Sequence, residues 1–162
     1  MSYLQDLAEQ RRGMIRRFLE QRGLRFFTDC DGDFLVRFRC EKRTVEFMIA
    51  TDSSGEVVWF ESTASTRFRQ EDVPLLLVAT NSYTLSQRWP RLKVVVEGSE
   101  AFVVTDGHLL ALDSAGQEQL EGFLECALST TLAFWEEFTL PNMEALDDEL
   151  DAFLGGTQDG SA

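Results

Sequence analysis

The fold is decided by the stretch DGDFLVRFRCEKRTVEFMIATDSSGEVVWF, residues 31–60. Apolar and polar side chains alternate along it in three runs, the first of which starts at Phe34. Because a period of two places successive side chains on opposite faces of a strand, the stretch predicts antiparallel strands that are buried on one face. The dipeptides Asp31-Gly32 and Ser54-Gly55 favour tight turns between such strands. We therefore predict three or four strands over residues 24–63.

The segment before these strands has helical periodicity. Ser2 and Gln5 have the spacing of a capping box, and Gly23 is a plausible C-terminal stop. The pattern predicts a helix between them. Its basic face is expected to be solvated, as such faces normally are; this face consists of Arg11, Arg12, Arg16, Arg17 and Arg22.

The segments after the strands predict a second helix, a second hairpin and a third helix. Residues 62–71 are predicted to be a connecting loop, and the apolar run over 75–85 predicts a deeply buried helix. Strands are expected over 92–97 and 101–112, with breaks at 98–100 and at 106–107. The third helix should begin at a capping box, Ser114 with Gln117, and end at Pro141. Its predicted buried stripe is Leu120, Leu124, Ala127, Thr131, Trp135 and Phe138.

These elements predict an α+β fold, an antiparallel sheet with flanking helices in the order α-β-β-β(β)-α-β-β(β)-α. At 162 residues, the chain has the length of one domain. We expect a single domain over residues 1–140 and an acidic amphipathic tail over 141–162 with a disordered end.

Charge is distributed unevenly along the chain. Fifteen Lys and Arg stand against 28 Asp and Glu, and the net charge is −13. No Lys or Arg follows Lys93, whereas fifteen acidic residues do. Because phosphate contacts dominate the affinity of nucleic acids and anionic membranes, direct binding to either is not expected. The acidic surface is either a device for solubility or a surface for a basic protein partner.

The N-terminus and the cysteines bear on the compartment. The sequence lacks a basic segment followed by an apolar one at its start, and its longest apolar run is only 75–79. Three scattered cysteines suit reduced thiols better than a disulfide framework. We predict a cytoplasmic protein.

Candidate catalytic and metal-binding residues are few. Asp29, Asp31 and Asp33 begin like a calcium loop, but the positions that require glycine and glutamate hold Phe34 and Cys40. A hairpin turn is the preferred interpretation. His108, the single histidine, is expected to leave a tight turn at 106–107, and the cysteines are expected to be buried or half-buried. No nucleophile, nucleotide or metal motif is present. We predict neither an enzyme nor a cofactor.

The tail has a helical apolar pattern among carboxylates. Such a segment can bind in the groove of another protein, lie across a dimer or dock on its own core, and the pattern alone does not choose among these. The predicted partner-binding residues are Met143, Leu146, Leu150, Phe153 and Leu154, which we call the tail stripe, with the acidic Glu144, Asp147, Asp148, Glu149 and Asp151.

Dispersed marks resemble the YbjN-like family over roughly residues 4–138. They are Gly23-Leu24-Arg25-Phe26 leading into Asp31-Gly32-Asp33-Phe34, Asn81 in the second helix, Trp89-Pro90-Arg91-Leu92-Lys93-Val94, and Phe134-Trp135-Glu136-Glu137-Phe138. The second helix departs from the family by showing Asn81-Ser82-Tyr83-Thr84 where a second asparagine and a tryptophan are common, and the tail is an addition.

The resemblance implies a fold similar to type III secretion chaperones, which are small acidic α+β proteins that form homodimers and bind other proteins. It also implies a link to stress responses and supplies no catalytic residue. The sequence therefore predicts a non-catalytic, chaperone-like, dimeric module that binds a basic or partly unfolded protein. Two alternatives remain: a small-molecule sensor or enzyme that uses the cleft between sheet and helices, and a regulator that acts on nucleic acid only through a DNA-binding partner.

Overall fold

A computed structural model describes residues 3–111 and 116–140. It confirms an α+β fold in which an antiparallel sheet is flanked by helices. The elements in chain order are α1 (Tyr3–Gln21), β1 (Phe26–Thr28), β2 (Phe34–Arg39), β3 (Thr44–Thr51), β4 (Val57–Ala64), β5 (Phe68–Arg69), a 3₁₀ turn (Gln70–Asp72), α2 (Val73–Ser86), β6 (Arg91–Glu97), β7 (Glu100–Leu110) and α3 (Gln117–Glu137).

The sheet is a meander completed by the second hairpin. Strands β1 to β4 pair in sequence order, and β4 pairs with β7. Glu61 of β4 and Arg91 of β6 both pair with Asp106, so β4 and β6 lie on opposite edges of β7. The short β5 pairs with β7 through Phe68 and Ala101. The long β7 is therefore the strand that joins the two halves of the sheet.

One face of the sheet carries the core. Its apolar side chains pack against α1 and α3 at one end and against α2 and the end of α3 at the other. Phe47 and Phe60 stack with ring centroids 5.0 Å apart. At the centre, Trp135 Nε1 donates to Ser62 Oγ at 3.0 Å, and Ser62 Oγ lies 2.7 Å from Thr105 Oγ1. Since buried polar groups need partners, this chain of hydrogen bonds fixes α3 on the sheet.

The helices α1 and α3 agree with the sequence prediction. All six residues of the predicted α3 stripe are buried. The helix begins at Gln117 with Gly116 as its N-cap and ends at Glu137. The predicted capping box is therefore wrong, because it requires Gln117 to be the third residue of the helix and not the first. Ser114 and the predicted stop Pro141 lie outside the described residues. Ser2 also lies outside them. Both predicted turns are present, and Gly32 and Gly55 adopt φ values of +85° and +77° that favour glycine.

The predicted break at 98–100 is present as the turn between β6 and β7, whereas the one at 106–107 is wrong. Residues 106–107 lie inside β7. Gly107 is needed there because neighbouring rings leave no space for a side chain, and not because the chain turns. A Cβ on Gly107 would come 2.0 Å from the Trp89 ring and 2.5 Å from the Phe60 ring. The predicted loop over 62–71 is also wrong in part, since β4 continues to Ala64 and β5 adds a short pairing with β7.

The arginine face of α1 is only partly solvated. Arg11 is 1% exposed, and its guanidinium donates to the carbonyls of Gly55 and Ala111 at 3.4 and 3.1 Å. Arg16 lies over the rings of Phe26 and Phe34, a favourable cation–π arrangement. The expectation of a wholly solvated face is therefore wrong for Arg11, whose long side chain reaches backbone acceptors at two loop ends.

Candidate protein-binding surface

Helix α2 is the most unusual element of the chain in composition. None of its 14 residues, VPLLLVATNSYTLS, carries a charge, in a protein where 27% of residues are charged. Pro74 in the first turn suits the start of a helix, where a backbone donor is not needed. Before the helix, Asp72 accepts a hydrogen bond from the backbone N–H of Arg69 at 3.1 Å.

One side of α2 packs against β6 and the end of α3. Leu76 and Thr80 are buried, and the Thr80 hydroxyl donates to the Leu76 carbonyl at 2.8 Å. Tyr83 meets Phe134 edge to face with centroids 4.8 Å apart. Burial raises the pKa of Tyr83, and the carboxylate of Glu137 raises it further. An acidic group of α3 therefore acts on the packed side of α2.

The other side of α2 is exposed and apolar. Leu77, Val78 and Leu85 are 47%, 41% and 88% exposed. The prediction of a deeply buried helix is wrong, because the sheet and α3 cover only one side of it. A helix that is apolar all round is normally covered all round. The exposed residues that share one side at helical spacing, which we call the α2 stripe, are Pro74, Leu77, Val78, Asn81 and Leu85.

The α2 stripe lies on an acidic protein. Four glutamates of α3 are exposed, and of these Glu125 pairs with Arg22 at 2.8 Å. The net charge of the chain is −13. An uncharged apolar stripe on such a protein has the composition of an interaction surface, since interface cores are depleted in charge.

The ten partner-binding residues predicted in the tail lie outside the described residues. The point from which the tail leaves is nevertheless fixed. Arg43 Nη2 donates to the Phe138 carbonyl at 2.9 Å, beyond the last turn of α3. Leu140 packs against the core cluster that contains Leu76, and Ala79 and Tyr83 of α2 pack against the same cluster. The described part of the chain therefore ends at the same core cluster against which α2 packs.

The sheet face opposite the helices carries an ion cluster. Asp106 is buried, Arg91 Nε donates to its Oδ1 at 2.9 Å, and Lys93 Nζ contacts its Oδ2. Arg91 Nη2 lies 2.6 Å from His108 Nδ1. Since His108 stands in mid-strand, its assignment to a turn is wrong. The register counted back from Gly98 would have paired Arg91 with Asp106, but the assumed break at 106–107 concealed it. The cluster satisfies a buried carboxylate with two cations.

The remaining candidate residues do not form a reactive or metal-binding site. Asp29 Oδ1 accepts hydrogen bonds from the backbone N–H groups of Asp31 and Asp33, both at 2.9 Å, which confirms the predicted turn. Within residues 3–111 and 116–140, no group of three or more His, Cys, Asp or Glu side chains could hold a metal ion.

The cysteines correct a further expectation. Cys30 and Cys126 are exposed, although burial was predicted, while Cys40 is half-buried. Burial raises the pKa of the Cys40 thiol, Glu136 raises it further, and Arg43 opposes them. A raised pKa keeps the thiol protonated and disfavours nucleophilic chemistry.

The small-molecule alternative requires a cleft between the sheet and the helices. Among the described residues this region holds packed core side chains. A depression of about 330 Å³ at its rim is lined by Cys40, Glu41, Lys42, Arg43, Trp135 and Glu136.

In the part of the chain described, no helix is long and apolar enough to cross a membrane.

Comparison with known proteins decides the family. Residues 11–140 match the family described as "YbjN: Putative bacterial sensory transduction regulator". The chain belongs to the YbjN family. A solved structure with the same fold is titled "Crystal structure of YbjN, a putative transcription regulator from E. coli", with a TM-score of 0.60, 16% sequence identity, and coverage of 77% of this chain and 88% of that chain. No curated protein matches the sequence significantly.

Membership confirms the resemblance drawn from the dispersed marks above. At 16% identity, the solved structure supports the fold alone. The family description is that of a regulator and names no reaction. The family therefore supports a regulatory rather than a catalytic role, and the likeness to type III secretion chaperones stays a prediction.

Proposed function

We propose that this YbjN-family protein is a non-catalytic, chaperone-like regulator that binds a basic or partly unfolded protein through the α2 stripe. The observation that carries the proposal is the stripe itself, three exposed aliphatic side chains on a helix without charge. Apolar segments of a partner would supply the buried area, and the net charge of −13 on the chain would favour basic partners and speed their association.

The stripe is suited to a partner segment rather than to catalysis. It offers no donor, acceptor or titratable side chain except the amide of Asn81. Burying Leu77, Val78 and Leu85 provides affinity that is indifferent to the partner's exact sequence. Such tolerance is typical of proteins that hold unfolded segments. The regulatory description of the family is consistent with a protein that acts by occupying another protein.

Suppression of aggregation tests the proposal with defined probes. Reduced lysozyme, a basic protein, and reduced α-lactalbumin, an acidic one, are allowed to aggregate with the full chain present, and light scattering is recorded. We expect protection of lysozyme to exceed that of α-lactalbumin and to weaken between about 50 and 200 mM salt, since surface charge is screened there. The double variant Leu77→Ser, Leu85→Ser should lose most of the protection.

A matched control separates the stripe from apolar exposure in general. Phe27 is 74% exposed in β1, and it pairs with Leu35 on the sheet, outside the α2 stripe. Phe27→Ser should protect lysozyme as well as the original chain does. Equal protection by the α2 double variant, or equal protection of both probes at every salt concentration, would contradict the proposal.

The homodimer belongs to the same proposal. Sedimentation of the full chain at micromolar concentration should give twice the chain mass, and a monomer would contradict this part. The cytoplasmic location is likewise proposed, as is action on nucleic acid only through a partner protein.

A further inference from the structure

The tail stripe and the α2 stripe have the same pattern. The tail stripe comprises Met143, Leu146, Leu150, Phe153 and Leu154, at spacings of three or four residues with one adjacent pair. Such spacing places apolar side chains on one side of a helix. The α2 stripe follows the same rule. We propose that the tail, as an amphipathic helix, covers the α2 stripe of its own chain.

The exit point of the tail favours this contact. Leu140, the last described residue, packs against the cluster that also contacts Val73, Ala79 and Tyr83 of α2. Phe138 lies against Phe68, with ring centroids 6.3 Å apart, shortly before α2 in sequence. The described part of the chain therefore ends at the cluster against which α2 packs, and only residues 141 and 142 separate Leu140 from the first residue of the tail stripe.

The dimensions of the two segments agree. The tail stripe spans twelve residues from 143 to 154, or about 18 Å as a helix, and the 14 residues of α2 span about 21 Å. The two lengths therefore agree to within one helical turn. A short tether gives the tail an effective concentration near α2 of roughly millimolar.

Charge favours the tail over a second copy as the occupant. The carboxylates of residues 144, 147, 148, 149 and 151 lie outside the tail stripe. They meet no like charge on α2, which carries none, and the exposed Arg88 just beyond α2 attracts them. A second copy would bring a net charge of −13 to a surface of the same sign.

The contact would regulate the surface assigned above to partner binding. A partner must displace the tail before it binds the α2 stripe, so the tail lowers affinity for weak partners, and basic partners gain by also engaging the released carboxylates. This consequence rests on the proposed function. The contact between tail and α2 does not, and it is tested without any partner.

Photocrosslinking in the full chain tests the contact. A photoreactive phenylalanine derivative replaces Leu85, which is 88% exposed, so folding is not disturbed. After irradiation, mass spectrometry locates the crosslinks. We expect them to fall in residues 141–154. The same probe at Leu110, 62% exposed and belonging to β7, serves as the matched control and should give none in that segment.

Mixed chains and tail variants complete the test. Light and heavy isotope-labelled chains are mixed before irradiation, and crosslinks should join peptides of one label only. The triple variant Leu146→Ser, Leu150→Ser, Phe153→Ser should reduce the crosslink at least tenfold, whereas Asp148→Asn with Glu149→Gln should retain it. Crosslinks between labels, crosslinks that persist in the triple variant, or none from position 85 to the tail would overturn the inference.

The two proposals fail separately. Loss of lysozyme protection in the α2 double variant together with absence of the crosslink would leave partner binding standing and remove the tail contact. A crosslink in a chain that protects neither probe would do the reverse.

Discussion

Helices α2 and α3 differ in how much of their apolar surface they bury. Over its 21 residues α3 carries five glutamates and still buries seven side chains. The 14 residues of α2 carry no charge and bury two. The more apolar helix is the less buried one. What decides burial is segregation, because α3 gathers its apolar residues on one side, whereas α2 distributes them around its axis and the sheet can cover only part of them.

The comparison shows what apolar composition means on a small α+β domain. Apolar residues on one side of a helix, as in α3, indicate packing within the chain. Apolar residues on all sides of a helix that packs on a single sheet, as in α2, indicate an exposed surface that is available for a further contact. The predictions below test this difference, beginning with the largest effect.

Removing a buried side chain of α3 should have a large effect. Trp135 is buried and hydrogen-bonded to Ser62. Trp135→Ala should lower the free energy of unfolding by about 3–5 kcal/mol, through lost burial and the cavity left behind. Urea denaturation measures it. Trp135→Phe retains most of the volume and should cost less. A loss below about 1 kcal/mol for the alanine variant would contradict the conclusion that the apolar side of α3 is tightly packed in the core.

The contact between the two helices should respond to high pH. Burial and Glu137 raise the pKa of Tyr83 from its ordinary value of 10.0. The folded state therefore holds the phenolic proton more tightly than the unfolded state. The associated stability is complete below pH 10 and declines as pH rises through the folded pKa.

Tyr83→Phe isolates that effect. The variant should differ from the original chain by less than about 1 kcal/mol at pH 7, and its stability should decline less steeply above pH 10. Denaturation curves at pH 8, 10 and 11 compare the two slopes. Identical slopes would mean that Tyr83 is not buried against α3 as described.

The smallest effect on stability is expected at the outer side of α2. Leu85→Ser should change the free energy of unfolding by about 1 kcal/mol or less, because Leu85 is exposed on the domain and the variant loses only the proposed contact with the tail. The same denaturation assay measures it. A loss above about 1.5 kcal/mol would show that the stripe is already part of the folded core.

Periodicity predicted most of the fold and missed what depends on contacts across the chain. The alternation from Phe34 and the α3 stripe follow from local sequence, and both are present. The break assumed at Gly107 failed because glycine serves there to admit the Trp89 ring, which no local pattern shows. The burial of α2 failed because an apolar run reports hydrophobicity but not how many sides are covered.

The candidate site was harder to predict for the same reason. The sequence directed attention to the tail, whose pattern is amphipathic, and not to α2, whose pattern has no polar side. Asp106 was missed because its partners Arg91 and Lys93 lie on another strand. The signal that could have found the α2 stripe is the absence of charge over 14 residues in a chain this acidic.

The hydrogen bonds of Arg11 can be completed only late in synthesis. This side chain of the first helix donates to the carbonyl of Ala111, which is added to the growing chain 100 residues later. At about 5–20 residues per second, the ribosome delivers that acceptor some 5–20 s after it delivers the arginine. Helix α1 is therefore made early but gains this contact late, after the whole of β7 has been synthesised.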